Sequence, residues 1–149
     1  MLEFFNTEDN LTLNDIRSIE IKYSLSFPDE YVKHLLAYNG GQCNPNIFEF
    51  VENGQVTESN IDWFLAIYDG DFDNLEDYIT IYKVNEIRIP ESFIPIAHDP
   101  GGNLICISCN DNRIYFWDHE RETVNTNHHH SESVYFIANN LTELFNILK

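Results

Sequence analysis

At 149 residues, with 43% hydrophobic and 14% aromatic side chains, the chain is too apolar to be disordered and of a length to bury one core, so residues 1–149 are expected to form one domain. Its 25 acidic residues against 8 basic ones leave a net charge of −17, which repels nucleic-acid phosphates and anionic lipid surfaces and favours a basic partner. No apolar run reaches the roughly 20 residues that span a bilayer, the first residues lack the basic start of a signal peptide, and three cysteines make no disulfide framework, which together predict a cytoplasmic protein.

In chain order, Thr12 and Asp15 form a variant capping box that opens a first helix over 13–22, with Leu13, Ile16, Ile19 and Tyr23 turned inward. The second helix carries both of its ends in the sequence. Pro28 stands at the expected first helical position, where its missing N–H costs nothing, and Asp29 and Glu30 suit the positive end of the helix dipole. Phe27, Tyr31, Leu35 and Tyr38, widened by Val32 and Leu36, make the apolar face, and Asn39-Gly40-Gly41 forms the stop. Beyond it, residues 47–51 and 61–67 are expected to be strands, and Asn53-Gly54 is a hairpin turn dipeptide.

From Lys33 to Lys83 there is no intervening Lys or Arg, against nine Asp and Glu. Within that tract, Asp69-Gly70-Asp71-Phe72-Asp73 invites a calcium reading, but the glycine and the twelfth-position acid of an EF-hand loop are out of place, and a solvated acidic loop explains the run. Asp73 or Asn74 then caps a third helix with Leu75, Tyr78, Ile79 and Tyr82 on one stripe. Two prolines keep 88–97 extended, ending in a strand over 93–98. Tight turns at 99–103 and 110–112 connect it to apolar runs at 104–108 and 113–117, an antiparallel meander. A further strand is expected at 133–137, and Asn140 caps a closing helix with Leu141, Leu144, Phe145 and Leu148 on one stripe.

Groups that could carry chemistry are few. Cys106 and Cys109 have C-x-x-C spacing, yet on a strand they face opposite ways, so they read as core cysteines. The run His128-His129-His130 would need converging ligands, His119, Glu120 or Cys43, to hold a metal, and reads as a solvated loop. Asp118-His119-Glu120 lacks a nucleophile motif, and Gly101-Gly102 lacks the helix and the Lys-Ser/Thr of a phosphate loop.

Three motifs taken together resemble the SUKH superfamily of fungal cell-wall regulators and bacterial immunity proteins. They are Phe27-Pro28-Asp29-Glu30-Tyr31 running to Asn39-Gly40-Gly41, the strand closing in Asp99 with Gly101-Gly102-Asn103, and the strand ending in Asp118-His119-Glu120. Phe27 stands where the family usually has leucine. The resemblance implies an α+β fold, a mainly antiparallel sheet flanked by helices, in which Pro28, Tyr31, Asn39, Gly40, Gly41, Asp99, Gly101, Gly102 and Asn103 are structural. It implies no catalytic residue and no cofactor. It further implies an immunity protein that binds and neutralises a cognate toxin domain, with a regulatory scaffold as the alternative. A basic toxin such as a nuclease would be met by an acidic surface, for which Asp69, Asp71, Asp73, Glu76 and Asp77 are the candidates. The oligomeric state is left open.

Overall fold

A computed structural model describes residues 2–121 and 133–149. His128, His129 and His130 lie outside the described residues. The chain begins with a short strand, β1 (Glu3–Phe5), and helix α1 (Leu13–Tyr23) follows. The capping box is closed: Asp15 N–H donates to Thr12 Oγ1 at 3.2 Å, and Thr12 N–H donates to the Asp15 carboxylate at 2.7 Å. Ile16 and Ile19 are buried, whereas Leu13, expected inward, is exposed at the helix start.

Helix α2 (Asp29–Ala37) begins one residue later than expected. Pro28 is the cap, extended at ψ 143°, and its carbonyl accepts the N–H groups of Tyr31 and Val32 at 3.0 Å. Tyr31, Val32 and Leu35 pack inward, while Leu36 and Tyr38 fall on the exposed side of the helix. Gly40 and Gly41 follow with φ of 71° and 90° and turn the chain into β2 (Gln42–Asn44), which pairs antiparallel with β1.

Strands β3 (Ile47–Glu52) and β4 (Gln55–Asn60) form the hairpin around Asn53-Gly54, whose φ values of 52° and 78° are those of a two-residue primed turn. This corrects the strand expected at 61–67. Of that stretch only β5 (Trp63–Phe64) is a strand, although Ile61, Phe64, Leu65 and Ala66 are all buried. The partner across the turn is Gln55–Asn60, polar but for Val56 and therefore without an apolar signature.

Helix α3 (Leu75–Ile79) is capped by Asn74 and runs on into a π-helical segment, Thr80–Asn85. Strands β6 (Phe93–His98), β7 (Leu104–Ser108), β8 (Ile114–Trp117) and β9 (Val134–Ala138) complete an antiparallel sheet in the order β5-β6-β7-β8-β9, and α4 (Leu141–Ile147) closes the chain. Pro95 is accommodated in this sheet next to an irregularity in the β6–β7 register. In β7, Ile105 and Ile107 enter the main core with α1, α2 and α4, while Leu104 and Cys106 join Ile89, Phe93 and Trp117 in a second cluster. A sheet buried on both faces is why β7 reads as an unbroken apolar run. Among the described residues, four α-helices with antiparallel sheets make the fold α+β.

Candidate protein-binding surface

Asn39 and Asp99, from two of the motifs, each bond to several groups of other residues. Asn39 is buried, and its side-chain amide pairs with the backbone of Ile67 in both directions: Nδ2 donates to Ile67 O at 2.8 Å, and Oδ1 accepts Ile67 N–H at 2.8 Å. Nδ2 also donates to Asp9 O at 2.9 Å, so this one amide ties the end of α2 to two distant stretches. The next residue passes close to Ala66, since a Cβ at Gly40 would stand 2.5 Å from the Ala66 Cβ.

Asp99 does the same for the β6–β7 turn. Its carboxylate accepts Gly101 N–H at 2.9 Å, Asn103 N–H at 2.8 Å, Asn103 Nδ2 at 3.0 Å and Ser59 Oγ at 2.8 Å. Asn103 Oδ1 in turn accepts His119 N–H at 3.0 Å and lies 2.6 Å from His119 Nδ1. Two of the three sequence motifs therefore meet in one hydrogen-bond network that also holds β4. Its polar atoms bond to the backbone and to one another.

The cysteines carry no activated thiol. Burial holds the Cys106 thiol far above its ordinary range and pushes Cys43 up to about 12, whereas a redox or nucleophilic cysteine requires the opposite shift. Cys109 lies outside the cluster that holds Cys106, and its Sγ donates to Ser26 O at 3.2 Å. Among the described residues, no three His, Cys, Asp or Glu side chains are placed to hold a metal ion.

The acidic tract is organised differently from a uniform patch. Asp73 Oδ1 lies 2.5 Å from His98 Nε2, and His98 Nδ1 lies 3.0 Å from Asp99 O, so both ring nitrogens have oxygen neighbours at hydrogen-bond distance. Tyr78 stacks on the same imidazole, with ring centroids 5.9 Å apart and 11° between planes. Glu76 accepts from Lys22 Nζ at 2.9 Å and from Tyr23 OH at 3.0 Å, which joins α3 to α1 and raises the Lys22 pKa. Asp73 and Glu76 thus have internal partners, while Asp69, Asp71 and Asp77 are exposed.

Between these acids stands Phe72, 78% exposed. Its loop is braced from beneath. Tyr68 OH donates to Phe72 O and accepts Phe72 N–H at 3.2 Å, and Asn74 Nδ2 donates to Tyr68 O at 2.9 Å and Gly70 O at 3.0 Å. Gly70 lets the Tyr68 ring lie close against the backbone, since a Cβ there would collide with the ring. Composition and spacing pointed to this loop through its acids and missed Phe72. The signal was an aromatic residue in an otherwise polar turn. The arrangement offers an aromatic face between two carboxylates, suited to a lysine or arginine side chain whose charge and apolar stem can both be met.

Fold and site together define an α+β protein with antiparallel sheets and a surface rich in carboxylates. The SMI1 / KNR4 family (SUKH-1) matches residues 10–147, so this chain belongs to that family, which includes toxin-immunity proteins. Among curated proteins it is similar to the SPbeta prophage-derived uncharacterized protein YokK of Bacillus subtilis (strain 168), 36% identical over 73 residues, 49% of this chain and 33% of that protein. It is also similar to the uncharacterized protein YobM of the same strain, 39% identical over 57 residues, 37% of this chain and 29% of that protein. The matched stretches thus span about a third of either relative's length. Among the described residues, no helix is long and apolar enough to cross a membrane.

Proposed function

We propose that this chain is a non-enzymatic immunity protein of the cytoplasm, which binds a basic toxin domain and blocks it by occupation. The observation that carries this reading is the braced loop 68–74, where Asp69, Asp71 and Phe72 are all exposed in a tract without Lys or Arg. A toxin that acts on nucleic acid must present a cationic face to phosphates, and a rigid acidic surface with an aromatic anchor competes for that face. Rigidity matters because little ordering entropy is then lost on binding. Membership of a family that includes immunity proteins supports the same reading. The acids with internal partners, Asp73 and Glu76, hold the loop and α3 in place and contribute field more than contact.

The test is co-expression of the toxin reading frame next to this gene, with cell survival scored. Wild-type chain is expected to protect, and the folded variant Asp69→Lys/Asp71→Lys/Phe72→Ala to lose protection. Protection undiminished in that variant would move the contact surface elsewhere. A neighbouring frame that is harmless when expressed alone would leave the regulatory scaffold as the better account.

A further inference from the structure

A second surface is built from different chemistry. The β3–β4 hairpin, β9 and α4 enclose an open groove of about 540 Å³. Its apolar walls are Val51 and Val56, 60% and 65% exposed, with Phe136 and Ile147, and its polar edge is formed by Glu49 and Glu143. Val51 and Val56 are directly paired across the hairpin, so both stand on the same face of the ribbon. Phe136 comes from β9, the last strand of the five-stranded sheet, and Ile147 from the end of α4. A surface that gathers four apolar side chains from β3, β4, β9 and α4 and leaves them 43% to 65% exposed marks a contact site, because each would be worth more buried than wet.

The charge around this groove says what covers it. The hairpin carries Glu49, Glu52 and Glu58 and no Lys or Arg; the nearby cation Lys149 bridges Glu49 and Glu58, and Arg113 lies over the Phe136 ring, 5.9 Å from its centroid, so the attraction left for a cation comes from Glu143 and from the field of a chain at −17. A second copy of the chain, itself at −17, would bring like charge to the same edge. An apolar segment flanked by lysine or arginine brings the opposite charge to Glu143 and to the chain's general negative field while its apolar side chains fill the groove. We infer that this groove, walled by Val51, Val56, Phe136 and Ile147, docks an apolar segment bearing lysine or arginine from a partner protein. The inference rests on the reading of this chain as a protein-binding molecule, and it is independent of the loop at 68–74.

The experiment uses the full chain labelled with ¹⁵N and three amphipathic peptides of equal length: leucine–lysine, alanine–lysine with the same charge, and leucine–glutamate with the same apolar face. The leucine–lysine peptide is expected to shift the amide signals of Val51, Val56, Phe136 and Ile147, and to bind about tenfold tighter than either control. Val51→Thr/Val56→Thr keeps strand propensity on an exposed ribbon and is expected to bring the affinity down to that of the alanine–lysine peptide. Glu143→Gln, which leaves the apolar wall intact, is expected to weaken binding and reduce its salt dependence. Asp69→Lys/Asp71→Lys is expected to leave the peptide's binding in the groove unchanged, so failure here and failure of the toxin reading are separable. Equal binding of the alanine–lysine peptide, or shifts centred on 69–77, would overturn the proposal in favour of unspecific charge attraction. A dimer in sedimentation that dissociates with Val51→Thr/Val56→Thr would overturn it in favour of self-association.

Discussion

His34 is buried in an aromatic box made by Phe4, Tyr38, Phe64 and Phe145, with ring centroids 5.1 to 5.9 Å away, and its Nε2 has no hydrogen-bond partner. Burial therefore lowers its pKa from 6.5 to about 4. Below about pH 6.5 the unfolded chain takes up a proton that the folded chain refuses until about pH 4, so stability present at neutral pH is lost across that window. The loss is on the order of 3 kcal/mol for this one group. Replacing it with a residue that cannot titrate, His34→Phe, is expected to make the fall of urea-unfolding free energy between about pH 6.5 and 4.5 shallower by close to one proton. An unchanged slope would show that His34 is protonated in the folded state. Glu20 illustrates the opposite solution to burial: its carboxylate accepts Phe27 N–H at 2.7 Å and pairs with Arg17 at 2.6 Å. Partners meet the buried carboxylate oxygens of Glu20, whereas Nε2 of His34 is left without one.

At the scale of elements, local rules governed the ends of helices well. Thr12, Asn74 and Asn140 all cap as their side chains predict, because a cap bond closes within three residues and needs no tertiary partner. Glu30 shows where that logic stops. It suits the start of α2, yet its carboxylate accepts the Leu141 N–H and the Thr142 hydroxyl, capping α4 from 111 residues away. Sequence spacing cannot announce such a bond. The loop at 68–74 is a third case, in which one phenol holds a five-residue turn. Tyr68→Phe removes both hydrogen bonds to Phe72 and is expected to speed amide exchange there by at least about fivefold, since losing even one hydrogen bond of ordinary strength changes local opening by roughly 1 kcal/mol. The melting temperature is expected to shift little, because Tyr68 and Phe72 stand outside both buried clusters. Exchange at Phe72 equal to wild type would mean that Asn74 alone holds the turn.

For the molecule as a whole, charge outweighs every other feature of its surface. With 25 acids and 8 bases on a small protein, the folded state confines repulsion that the unfolded chain can relieve by expanding. Eight Lys and Arg cannot give most of the 25 acids a cation of their own, although Glu20, Glu49, Glu58, Glu76 and Asp111 are so paired among the described residues. Added sodium chloride is therefore expected to raise the melting temperature, most steeply at low salt, as the screening length shortens toward ~10 Å at 0.1 M. A melting temperature that falls with salt would mean that the ion pairs outweigh the general repulsion. The same field favours a cationic partner at long range, while Phe72 or the Val51–Val56 groove supplies contact at short range.

The sequence by itself determined the helices, the β6–β7–β8 meander, the hairpin turn and the family, because caps, turn dipeptides and the periodicity of apolar residues act over a few positions. It also marked the acidic tract. Only the tertiary structure decided that β1 joins β2, that Gln55–Asn60 rather than 61–67 completes the hairpin, that Asp73 and Glu76 are internally paired, and that four apolar side chains from β3, β4, β9 and α4 line one groove. Those features depend on which distant residues packing brings together, and neither a strand facing water nor a carboxylate meeting a cation many residues away leaves a local trace.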